Sequence, residues 1–169
     1  RNRNIKIRSN LIKHHKMKTF INDDFMLTND YARELYHTSA ENHPIIDYHC
    51  HLVPKMIADN YQFADLTEVW LGGDHYKWRQ MRSNGVDEKF ITGDSSWREK
   101  FMQYAQTMER LVKNPLFDWS HLELKRYFGI NERLCPASAE RIWKKCNAKL
   151  KTKGFSAQGL MKKSNVKVV

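Results

Sequence analysis

The stretch Pro44-Ile45-Ile46-Asp47-Tyr48-His49-Cys50-His51-Leu52 decides how the rest of the chain is read. Pro44 marks an entry, and Ile45 and Ile46 favour a buried strand over about 45–50. Side chains alternate along a strand, so Asp47, His49 and His51 fall on one face and Tyr48, Cys50 and Leu52 on the other. The two imidazoles stand about 6.6–7 Å apart along the backbone. That spacing lets them converge on one divalent ion, and imidazole nitrogen suits zinc and similar first-row metals. Cys50, on the opposite face, is expected in the core. By itself His-x-His is a common pairing that a solvated strand end also explains.

Outward from this stretch the periodicity is helical. Residues 17–28 form a lead-in anchored by Phe20, Phe25, Met26 and Leu27. Asn29 caps a helix to about Glu41, with Ala32, Leu35, Tyr36 and Ala40 on one stripe. Beyond the strand, Pro54 opens a short turn, and Phe63, Leu66, Val69, Trp70 and Leu71 mark an apolar helix ended by Gly72-Gly73. Asp74 caps a helix over His75 to Ser83. Ser96-x-x-Glu99 fits a capping box ahead of a longer helix, in which Trp97, Phe101, Tyr104, Ala105, Met108, Leu111 and Val112 recur at helical spacing. Asn114-Pro115 breaks the chain, and Ser120-x-x-Glu123 reads as a second capping box for a helix stopped by Gly129. Pro136 opens a helix through Leu150, followed by a short helix over Ser156 to Lys163. Val166-Lys167-Val168-Val169 starts a second strand. Two strands separated by about five helices leave exposed edges, so the sequence reads as the opening of a larger α/β protein.

Composition narrows the class. The chain has 169 residues with five tryptophans, enough for one folded domain. No apolar run approaches the ~18 residues of a membrane span. The three cysteines show no paired spacing, which fits free thiols in a reducing compartment. The net charge is +10, but Arg1, Arg3, Lys6, Arg8, Lys13 and Lys16 supply six of these charges with no acid among residues 1–16. The reading taken is that the protein begins at Met17 and that this basic leader is translated upstream sequence outside the fold.

Several long motifs in order then carry a resemblance. They are the 45–52 stretch, the run Trp70-Leu71-Gly72-Gly73-Asp74-His75-Tyr76-Lys77-Trp78-Arg79-Gln80-Met81-Arg82-Ser83-Asn84-Gly85, then Asn114-Pro115-Leu116, His121 to Gly129, and Asn165 to Val169. From about Met17 to Val169 the sequence resembles the bacterial uronate (glucuronate) isomerases of the amidohydrolase superfamily. The resemblance implies the N-terminal part of a distorted (β/α)₈ TIM barrel, incomplete in this chain, with a mostly helical insertion over about 54–164. It implies a cytoplasmic aldose–ketose isomerase acting on D-glucuronate/D-fructuronate and D-galacturonate/D-tagaturonate through an enediol-type intermediate, and an oligomer is compatible with the full-length protein.

The resemblance also implies roles. His49 and His51 would hold a divalent metal, zinc by preference. Read from the residues alone, Asp47 either orients one of these histidines or simply caps the strand end. Tyr76 matches the tyrosine of proton transfer, and His75 belongs to the same motif. Arg79 and Arg82 are secondary candidates for the substrate carboxylate. A free tyrosine titrates near 10, so it needs a cation beside it to act as a base. The family's further histidine, its aspartate ligand and its late arginine do not fall in residues 1–169, so the ligand set is incomplete and the chain is expected to be inactive alone. Without the resemblance, His75 is a polar residue in a first turn, Tyr76 a half-buried aromatic, and Arg79 and Arg82 solvated charges.

Two alternatives stand beside this reading. One is a hydrolase of the same metal-dependent barrel superfamily, against which the Gly72 to Arg79 motif argues. The other is a basic helical nucleic-acid-binding module built on the leader, Lys144-Lys145 and Lys162-Lys163, against which the C-terminal strand argues. No membrane partner is expected.

Overall fold

The structure, a computed structural model, describes residues 20–169, so the basic leader at 1–16 lies outside the described residues. Strand β1 (Ile45–Ile46) pairs in parallel with β2 (Val166–Val168), with Ile45 opposite Val166. The Ile45 N–H donates to the Asn165 carbonyl and the Asp47 N–H to that of Val168, each at 2.9 Å. Asn165 also donates its side-chain amide to the His43 carbonyl at 3.1 Å. The segment around 43–47 and the C-terminal end of the described chain are thereby held side by side.

Expectation and structure part here. The strand stops at Ile46 instead of running to 50, and it is not buried: Ile45 is 49% and Ile46 69% exposed. A parallel strand is buried when helices cover both faces, and among the described residues β1 has a single partner. Cys50 is accordingly half-buried and not a core residue.

Helix α1 (Asp30–Leu35) starts at Asn29, whose side chain accepts from the Ala32 N–H, and widens into a π-helical turn over Tyr36–Ala40. Its apolar stripe is only partly covered, with Ala32 and Tyr36 half-buried and Leu35 and Ala40 exposed. In the lead-in, Ile21 is the buried anchor and Met26 is exposed.

Between the strands run α2 (Pro54–Ala58), α3 (Leu66–Leu71), α4 (His75–Ser83), a 3₁₀ turn at Glu88–Phe90, α5 (Trp97–Met108), α6 (Pro115–Phe128), α7 (Pro136–Leu150) and α8 (Ala157–Lys163). The local signals place most starts correctly. Asp74 caps α4, and the Ser96–Glu99 box caps α5 with both of its bonds present. Asn114-Pro115, however, is a start and not a break. The Asn114 side chain accepts from the Leu116 N–H at 3.0 Å, and proline at the first position gives up a donor that would be unpaired anyway. Ser120 therefore lies inside α6, buried, with its hydroxyl on the Tyr104 hydroxyl at 3.0 Å. Val112 is exposed because α5 ends at Met108.

Helices α3, α5 and α7 enclose the core. Trp70 lies against Phe101 and Tyr104, with ring centroids 6.0 and 5.8 Å apart, and Leu124 and Ile142 are fully buried. Polar ties fix the register between distant helices. The Trp143 indole N–H donates to the Thr67 hydroxyl at 3.1 Å, and the Asn147 side chain accepts from the Leu66 N–H at 2.9 Å. His121 in α6 links Phe117 to Leu134 through both ring nitrogens, at 2.7 and 2.9 Å. Helix α8 is tied to α2 by the Gln158 side-chain amide, which donates to the Ile57 carbonyl at 2.8 Å. Among the described residues no helix is long and apolar enough to cross a membrane.

Candidate active site

Immediately past the C-terminal end of β1, the Asp47 carboxylate accepts from the His49 N–H at 3.2 Å and closes a turn. Asp47 thus shapes the backbone under the histidines, and the bond it makes is to that N–H instead of to an imidazole. The turn brings the His49 and His51 rings to the same side, with Nε2 atoms 3.1 Å apart and ring planes at 71°. Two nitrogens each 2.0–2.1 Å from one tetrahedral ion lie about 3.3 Å apart. The observed spacing therefore fits two ligands of a single ion. Without an ion, one ring donates to the other, which is the same approach read as a hydrogen bond.

The second part of the site comes from α4. The Gly72-Gly73 turn leads to Asp74, and the first turn of α4 then presents His75 and Tyr76 to the histidine pair. The His75 ring stacks on His51 at 5.7 Å with planes 23° apart, and Tyr76 follows at 4.3 Å from His75. The Tyr76 side chain is 53% exposed, and the Arg79 guanidinium lies 5.2 Å from its ring centroid. His49, His51, His75, Tyr76 and Arg79 thus form one row on the surface.

Arg82 stands apart. It makes a two-pronged ion pair with Glu88 at 2.8 and 2.5 Å, and that bond, with one from Thr92, pulls the Glu88 carboxyl down to about 2. A stacked ring offers its face and not a nitrogen, so His75 does not extend the histidine pair to a third ligand. Among the described residues no group of three or more His, Cys, Asp or Glu is arranged to hold a metal ion.

Sequence reasoning missed what lies under this row. Lys77 is only 7% exposed, and its Nζ donates to Asp74 Oδ2 at 2.5 Å. Glu123 of α6, partly buried and within reach of the Lys77 charge, has its carboxyl raised by burial, against the pull of that charge and a side-chain bond with Trp70. The available signal was the i, i+3 spacing of Asp74 and Lys77. Spacing does not say that the lysine turns inward.

The family profile described as glucuronate isomerase matches residues 17–169. A uronate isomerase of Bacillus licheniformis is 56% identical over 153 residues, covering 90% of this chain and 32% of the relative. One from Lachnospira eligens is 54% identical over 153 residues, covering 90% and 33%. Among solved structures, uronate isomerase from Thermotoga maritima superposes with a TM-score of 0.83 at 37% identity, covering 89% of this chain and 33% of that one. Glucuronate isomerase from Caulobacter crescentus gives 0.79 at 27% identity, covering 86% and 33%. The chain spans about a third of the length of the curated relatives it matches. Both solved neighbours are TIM barrels, and the two parallel strands with their helices are part of such a barrel.

Proposed function

Because the chain belongs to the glucuronate isomerase family, we propose that it supplies the first third of a cytoplasmic aldose–ketose isomerase acting on hexuronates. The pairs interconverted are D-glucuronate with D-fructuronate and D-galacturonate with D-tagaturonate. The observation that carries this reading beyond the family is the row His49–His51–His75–Tyr76 at the C-terminal end of β1, the end where barrel enzymes keep their chemistry.

Aldose–ketose isomerisation moves a proton between two neighbouring carbons while negative charge develops on oxygen. His49 and His51 would hold a divalent ion, zinc by donor type, which when bound supplies Lewis-acid stabilisation to that oxygen. Tyr76, exposed and beside the histidines, carries the proton at its phenolic oxygen. His75, stacked between His51 and Tyr76, fixes the distance between the two halves of the site. Arg79 places positive charge at the open end of the row, where a substrate carboxylate docks. Arg82 is held by Glu88 and contributes little there. The remaining ligands and the late cation come from the rest of the barrel.

The test is a chimera in which residues 17–169 replace the matching segment of the Bacillus licheniformis relative, assayed for ketose formation from D-glucuronate. Turnover is expected in the chimera, and none in the 169-residue chain alone. His49→Ala and Tyr76→Phe are each expected to abolish it. A folded, metal-loaded chimera that converts no hexuronate would overturn the isomerase reading. Activity that survives both substitutions would overturn the site.

A further inference from the structure

Helix α4 is anchored more heavily than capping requires. Asp74 Oδ1 accepts from the backbone N–H groups of Tyr76 and Lys77 at 2.9 and 3.2 Å, which satisfies the helix start. The other oxygen, Oδ2, takes the Lys77 ammonium at 2.5 Å. That lysine is withdrawn from solvent, its side chain 8% exposed against 28% for its partner. The partly buried Glu123 of α6 feels the charges of both Lys77 and Asp74. One residue on, the Trp78 indole N–H donates to the Leu71 carbonyl at 2.8 Å and ties α4 back to the end of α3.

A buried ion pair is weak grounds for stability. Desolvating two charges can cost more than their attraction returns, and an apolar side chain of similar volume often does as well. In some proteins such a pair instead selects one geometry, and here both oxygens of Asp74 are engaged, one by the helix start and one by Lys77. Here that geometry belongs to the turn carrying His75 and Tyr76, the two residues that stack along His51.

We propose that Lys77 is a positioning residue, which locks the Asp74 carboxylate and through it the first turn of α4, so that Tyr76 is held in register with the His49–His51 pair. It acts through Asp74 and touches no reacting group. The inference rests on the isomerase reading above. It adds that the buried cation under the site sets the rate, in addition to the exposed residues of the row.

Three variants separate positioning from folding. Lys77→Met keeps the buried volume and removes the charge. Asp74→Asn keeps the cap oxygen and removes the charge. The double variant removes both. In the 169-residue chain, amide hydrogen exchange at Tyr76 and Lys77 is expected to speed up about tenfold or more in Lys77→Met, with the amides of α5 and α7 unchanged. In the chimera, kcat is expected to fall about tenfold to a hundredfold in each single variant with KM for D-glucuronate nearly constant. The double variant is expected to be no worse than either, because both remove one interaction. Lys77→Arg, which keeps a cation, is expected to recover part of kcat.

Unchanged exchange at Tyr76, or a full kcat in folded Lys77→Met, overturns the proposal. So does a loss in the double variant equal to the product of the singles. An unsubstituted chimera without activity overturns the isomerase reading instead, and the exchange measurement then decides by itself whether Lys77 holds Tyr76.

Discussion

The Nε2 atoms of His49 and His51 face each other at 3.1 Å across a turn that Asp47 closes. On the proposed reading these two imidazoles supply half of a metal site, and half a site binds weakly. Zinc is expected to bind the 169-residue chain at one equivalent, and far more tightly in the chimera, where further ligands are available. Isothermal titration checks this, with His51→Ala expected to remove binding in the chain. Unaltered affinity after that substitution would place the ion elsewhere.

His121 makes the core sensitive to acid. Its ring is 2% exposed, Nδ1–H donates to the Phe117 carbonyl, and Nε2 accepts from the Leu134 N–H. An imidazolium has no acceptor for Leu134, and burial is the main cause that lowers the His121 pKa. An unfolded histidine takes up its proton near pH 6.5. Stability is therefore expected to fall as pH drops below about 6.5, until the lowered folded value is reached. Melting temperatures from pH 7.5 to 5 should show this slope in the parent, and His121→Gln should flatten it.

His37 has the opposite sign. Its ring bridges Glu41 and Asp24 at 3.1 Å each, and the Glu41 bond foremost raises its pKa. Its contribution is fully present below about pH 6.5 and fades as pH rises through the raised value. Proton NMR of the His37 ring in the parent and in Glu41→Gln is expected to show a lower midpoint in the variant.

The uncovered sheet has a cost in solution. Ile46 and Val168 are 69% and 54% exposed on strands whose outer edges have no partner among the described residues. Such edges template association. The chain is expected to self-associate at high concentration, and Ile46→Lys to suppress this without lowering the melting temperature. Light scattering against concentration measures both proteins.

Gly129 ends α6 at φ +68°, with nothing closer to an added Cβ than the Lys149 ammonium at 3.6 Å. The conformation alone makes Gly129→Ala unfavourable, by about 1 kcal/mol. Leu124→Ala, which empties a fully buried site one turn earlier, is expected to cost about 2–5 kcal/mol. Urea unfolding of the two variants gives the comparison directly, and reversal of the order would contradict the packing described.

The ordered motifs at 45–52, 70–85, 114–116, 121–129 and 165–169 determined the family and with it the partial barrel, and the first two supplied the candidate row His49, His51, His75 and Tyr76. Helix starts at Asp74, Ser96 and Pro136 were equally legible: the first two are capping bonds between residues two or three apart, the third a proline at the first helical position, and neither signal needs anything from the rest of the chain. Asn114-Pro115 misled because the same residues serve as a stop or as a start, and only the helix that follows distinguishes them. The tertiary structure alone decided that Lys77 turns inward onto Asp74, that Ser120 meets Tyr104, that His121 spends both nitrogens, and that the isoleucines of β1 stay uncovered. Burial and pairing of this kind depend on surfaces brought together from far along the chain, as in the bond between Thr67 and Trp143 across 76 residues. The free energy of such contacts is set by the desolvation and packing they share, which no local pattern encodes.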